Sequence, residues 1–194
     1  MSDPVVGFFG KLPARGDFVR VGLPRDFTDR WDEWLQSVLA GSRALMGEAW
    51  LPAFLEAPVW RFALPAGMCG ACAVLGLMLP SVDRAGRYFP LTFAALHGGV
   101  GETAQGDAWL DRCEAIGRDA LERDTPPQAV FDTLELPDLS NDGEGFADAL
   151  WWSEGSPRVK PVRMTLASLP DATTYAAMLG AELDAARTRW EPTP

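Results

Sequence analysis

Three strand-like runs lie close together in the middle of the chain, and their short connections restrict the fold more than any other feature. Residues 59–64 (VWRFAL), 73–79 (AVLGLML) and 87–96 (RYFPLTFAAL) are rich in β-branched or aromatic side chains. They are bounded by Pro-Ala-Gly and by Ser-Val-Asp-Arg-Ala-Gly, which bend a chain readily. A parallel crossover needs roughly a dozen or more connecting residues, so links this short predict antiparallel hairpins.

Helical spacing flanks this block. Phe27, Trp31, Trp34/Leu35 and Val38/Leu39 recur at intervals of three and four, with Pro24 and Asp26 as start signals and Gly41 as a stop. A second helix is predicted over 42–56, kinked or split by Pro52. Residues 106–123 return to helical spacing through Trp109/Leu110, Cys113, Ile116 and Ala120/Leu121. Asp107, Asp111 and Glu114 fall in its first half and Arg118 and Arg123 near its end, complementing the helix dipole. An acidic loop over 125–144 precedes strand-like residues 146–152, a turn at 154–157 and a last strand over 160–166. A helix over 171–189 closes the chain, and a short strand over 4–9 opens it. Strands in the middle and helices at both ends predict an α+β fold, an antiparallel sheet with helices packed on it. With 194 residues, 47% of them hydrophobic, a single domain spanning 1–194 can bury a sizeable core.

The formal net charge is −10, which argues against a nucleic-acid-binding surface, since that needs clustered cations to displace counterions. The charge is uneven: residues 1–30 carry five cations against four acids, whereas residues 101–155 carry fourteen acids and three arginines. The acids are read as solvating a surface. The first residues, MSDPVVGFFG, lack the basic and apolar regions of a secretory signal. No stretch approaches the ~20 apolar residues of a membrane span, so no membrane insertion is expected. Three cysteines are too few for a disulfide framework, and a cytoplasmic location is expected.

Most familiar chemical motifs fail on spacing. FGKLPARGDF (residues 9–18) places a Gly-Lys pair after an apolar run, as a phosphate loop does. A Walker loop, however, needs four residues between its glycines and a hydroxyl residue after the lysine. Here two residues separate Gly7 from Gly10, and Leu12-Pro13 follows Lys11. Cys69-Gly70-Ala71-Cys72 sits in a Gly-rich turn before a strand, not at a helix start where a dipole would activate a thiol. His97 is the only histidine and has no Gly-x-Ser-x-Gly elbow to serve. The calcium-like run beginning at Asp138 has Ala149 where the bidentate glutamate should stand. No metal, no cofactor and no catalytic residue is assigned.

A second charged segment, PSVDRAGRYFP (residues 80–90), resembles the first in mixing arginine, aspartate, glycine, proline and an aromatic. The two supply the candidate residues Lys11, Arg15, Asp17, Ser81, Asp83, Arg84, Arg87 and Tyr88. If the segments lie side by side, Arg15/Asp17 and Asp83/Arg87 form a cross-braced ion network. Such a network either stiffens the fold or presents a recognition face, and the residue types serve both.

These segments carry a family resemblance. GFFGKLPARGDFV, then Trp31-Asp32-x-Trp34-Leu35, APVWRF (57–62) and M-x-PSVDR-x-GRYFPL (78–91) occur in one order that resembles the TagF family of type VI secretion-associated proteins. The match runs from Val6 to about Leu96 and continues more loosely through Leu150-Trp151-Trp152. The resemblance implies a non-enzymatic cytoplasmic regulator that represses the bacterial type VI secretion system after translation. It implies a partner too, a forkhead-associated-domain scaffold protein of that system. Two rival readings remain: a hydrolase or phosphate-handling enzyme using Ser81, Asp83 and Arg87, and a structural subunit of the secretion apparatus.

Overall fold

The computed structural model describes residues 4–97, 104–137, 147–182 and 191–192. Its elements run β1 (Val5–Gly10), β2 (Val19–Val21), α1 (Arg25–Met46), α2 (Trp50–Leu55), β3 (Trp60–Leu64), β4 (Ala73–Leu79) and β5 (Leu91–His97). They continue with α3 (Ala104–Glu122), α4 (Pro127–Phe131), β6 (Ala149–Ser153), β7 (Val162–Leu166), α5 (Ala172–Met178) and β8 (Glu191–Pro192). The strands form one sheet in the order β2-β1-β5-β4-β3-β6-β7-β8. Every pairing in it is antiparallel.

The α+β expectation holds, and the central hairpins are the predicted ones: β3 pairs Trp60 with Met78 of β4, and β4 pairs Ala73 with His97 of β5. Both faces of the sheet are covered. Trp60, Phe62, Leu64, Val74, Met78, Ala94 and Leu96 point to the side of α1, α2 and α5. Ala63, Leu75, Leu77, Phe93 and Ala95 point to the side of α3 and α4. Strand alternation sends successive side chains to opposite faces, so β3, β4 and β5 are apolar at nearly every position and fill both layers, with Arg61 and Thr92 as the buried polar exceptions. Tryptophan indoles tie the layers together: Trp31 Nε1 donates to Thr92 Oγ1 on β5 at 2.9 Å, and Trp60 Nε1 donates to the Met178 carbonyl at 3.0 Å.

Five boundaries differ from the sequence reading. Helix α1 runs through Gly41 to Met46, because Ala172 of α5 packs there and a Cβ at Gly41 would lie 2.4 Å from its methyl. The glycine serves close helix approach, not termination. After a short 3-10 turn at Gly47–Ala49, Pro52 falls in the first turn of α2, where its missing amide costs no helix bond. Residues 87–90 form a loop before β5, with only Val82 bridging Tyr88. The region 125–144, read as a loop, begins with the short helix α4. The final helix, expected over 171–189, spans Ala172–Met178 and ends in a turn at 179–180; Asp171 Oδ1 caps its start by accepting from Thr174 N at 2.7 Å.

Candidate functional site

FGKLPARGDF forms the loop of the β1–β2 hairpin. The sequence reading expected it to join a strand directly to a helix, and a three-residue strand is too short to announce itself by periodicity. At its entry Gly10 has φ +138°, and a Cβ there would stand 2.1 Å from the Pro90 carbonyl oxygen. Only glycine allows the two charged segments to cross so closely.

The crossing buries an ion pair. Lys11 is 5% exposed, and its ammonium donates to Asp83 Oδ2. Arg87 Nε donates to the same oxygen at 2.7 Å. Asp83 Oδ1 accepts from the backbone amides of Ala85 and Arg87, each at 2.9 Å. Burial alone pushes the Asp83 carboxyl up, but these donors outweigh it and hold the group well below the usual carboxylate range. Ser81 Oγ donates to the Lys11 carbonyl at 2.6 Å. The Arg84 amide donates to the Arg15 carbonyl at 2.9 Å, Arg84 Nη2 to the Ala14 carbonyl at 3.0 Å, and Arg87 Nη2 to the Gly16 carbonyl. The second segment therefore grips the backbone of the first along most of its length.

The structure divides the eight candidates. Lys11, Ser81 and Asp83 are buried, Tyr88 is half-buried with its ring edge-on to Phe54, and Arg15, Asp17, Arg84 and Arg87 are exposed. The expected network is corrected in its members. Asp83 pairs with Lys11 and Arg87, while among the described residues the Arg15 and Asp17 side chains form no ion pair. Arg15 enters through its main chain alone.

Phe18 was missed by sequence reasoning. Its ring stands 4.7 Å from the Lys11 ammonium, meets Phe89 edge-on at 4.7 Å and stacks with Phe9 at 5.8 Å, yet remains 46% exposed. Beside it, Ala14, Arg15, Gly16, Asp17 and Arg84 line an open groove of about 370 Å³.

A second charged cluster joins the central strand β3 to α3. Arg61 of β3 donates to Asp111 Oδ1 at 2.7 Å and Glu114 Oε2 at 3.1 Å, both on α3. Burial opposes the Arg61 charge, and these two carboxylates more than restore it. Arg118 closes on Glu114 Oε1 at 2.9 Å, and Arg123 pairs with Asp119, so these arginines serve pairs four residues apart as well as the helix end. The lone arginine inside the apolar run VWRFAL was the signal for this cluster.

Cys69 lies in the core and its thiol is pushed up to about 12 by burial, which suppresses the reactive thiolate. Among the described residues no His, Cys, Asp and Glu side chains gather into a group able to hold a metal ion. The calcium-like run from Asp138 lies outside the described residues up to 146. No helix among the described residues is long and apolar enough to cross a membrane.

A mixed-order antiparallel sheet, helices on both faces and two interlocked charged loops at one end define an α+β domain that displays a loop surface. The chain belongs to the TagF family: the model described as TagF N-terminal domain, type VI secretion system-associated, matches residues 7–136. The fold is similar to the crystal structure of PA0076 from Pseudomonas aeruginosa PAO1, with a TM-score of 0.82 and 33% sequence identity. That similarity covers 97% of this chain and 100% of the other. No curated protein matches the chain in sequence. This is a type VI secretion system-associated protein.

Proposed function

We propose that the chain is a cytoplasmic repressor of type VI secretion that acts after translation by binding a forkhead-associated-domain scaffold protein. The observation that carries this reading is the division of labour in the paired loops. Buried Lys11, Ser81 and Asp83 are consumed in locking the loops together, and that lock holds Arg15, Asp17, Arg84 and Phe18 out in solvent. A rigid, exposed set of charged and aromatic side chains suits recognition of another protein.

The same burial counts against the hydrolase reading. The Ser81 hydroxyl is spent on the Lys11 carbonyl, and the Asp83 side chain is 0% exposed, so neither can meet a substrate. On the proposed reading the chain acts by binding. Pull-down of the scaffold by the purified wild-type protein tests the proposal, with capture expected. Absence of capture overturns it, and a stable high-order assembly of the pure protein in light scattering would put a structural subunit in its place.

A further inference from the structure

The paired loops form a positive island on an acidic molecule. Residues 11–18 and 81–88 contain Lys11, Arg15, Arg84 and Arg87 against Asp17 and Asp83, in a chain of net charge −10. Lys11 and Asp83 are both covered and offset each other, which leaves Arg15, Arg84 and the 60% exposed Arg87 side chain against Asp17 in solvent. Arg84 is hydrogen-bonded to a neutral carbonyl, which orients the guanidinium without cancelling its charge. Arg15 makes no ion pair among the described residues. Phe18 adds an apolar spot between these cations, pinned by Phe9 and Phe89 and so ordered before any contact is made.

We propose that this face, formed by Arg15, Arg84 and Phe18, takes a short acidic peptide segment that sets an apolar side chain against the Phe18 ring. The inference rests on the proposed function in one respect: the segment belongs to the scaffold protein. Guanidinium groups match carboxylates in pairs of parallel hydrogen bonds, which favours Asp or Glu on the incoming chain. The groove of about 370 Å³ beside Phe18 has room for a few side chains, not a whole domain. A nucleic acid is disfavoured as occupant, because the acidic remainder of the molecule repels an extended polyanion that reaches beyond the island.

Fluorescence anisotropy on the full chain tests this with labelled EELEE, EEGEE and KKLKK peptides and a short labelled oligothymidylate. EELEE is expected to bind more tightly than EEGEE, with KKLKK and the oligonucleotide failing to bind. The Arg15→Gln/Arg84→Gln double variant should weaken EELEE about tenfold while melting within about 3 °C of wild type, since the loop bond it removes, from Arg84 Nη2 to the Ala14 carbonyl, is exposed. Phe18→Ala should abolish the preference for EELEE over EEGEE. Failure of EELEE to bind, equal binding by the double variant, or oligothymidylate binding as tight as EELEE would each overturn the proposal. Scaffold pull-down with the same variants separates the two readings. Equal capture of the scaffold by wild type and double variant sinks this surface and leaves the repressor standing. No capture by wild type, with EELEE still discriminating, sinks the repressor and leaves the surface.

Discussion

Lys11 and Arg61 are both cations drawn in toward the sheet by acidic partners, but their partners live in different surroundings. The Asp83 carboxylate that holds Lys11 is 0% exposed and receives four donors, two from side chains and two from backbone amides. The carboxylates that hold Arg61 reach it from α3, with Asp111 66% and Glu114 24% exposed. Water can replace Arg61 for those acids, and salt screens them. Water cannot reach the covered Asp83 carboxylate to replace Lys11. The comparison shows that the joint between the loops is a structural lock, whereas the α3 cluster is a surface network.

The lock should break hardest. Asp83→Ala leaves a buried ammonium without its acid, and loss of about 3–5 kcal/mol is expected. Thermal melting would show this as a fall of roughly 10 °C for a chain of this size. A replacement of both partners, Lys11→Met with Asp83→Leu, should cost clearly less than Asp83→Ala alone, since no charge is stranded. Equal losses would mean that the pair is not coupled.

Acid should open the same lock. The folded Asp83 carboxyl sits well below its ordinary value, so its stabilising contribution is present at neutral pH. It is lost as the pH falls from about 5 through the unfolded carboxylate range near ~4 and below. Urea unfolding at stepped pH should therefore show wild type losing more stability on acidification than Asp83→Asn. Parallel pH curves for the two would contradict the assignment.

Smaller effects follow outward. Arg87→Ala removes one of the donors to Asp83 but leaves Lys11 in place, with an expected cost of about 1–2 kcal/mol in urea unfolding. Arg61→Ala should cost about 1 kcal/mol, and the loss should shrink in high salt, as the lock's does not. Arg15→Ala should shift stability by less than about 0.5 kcal/mol while weakening scaffold capture. If Arg15→Ala unfolds the protein, its side chain belongs to the lock after all.

The central meander was legible because strand runs and short turns are local properties: residues 59–64 and 73–79 match β3 and β4 almost residue for residue. The start of α1 near Pro24 and Asp26, and the periodicity of α3, were legible for the same reason. The two loops could be picked out by their residue types alone, and turn chemistry at Asp83 and Gly86 was visible there.

Tertiary structure decided what depends on residues far apart in the chain. It inserted β1 beside β5, covered the sheet on both faces and carried α1 past Gly41 because α5 packs there. It also chose Lys11 over Arg15 as the partner of Asp83, across 72 positions of sequence. Both are cations on one short loop, and no local pattern ranks them. The crossing at Gly10 turns Lys11 inward and leaves Arg15 in solvent, so burial makes the first a lock and leaves the second exposed.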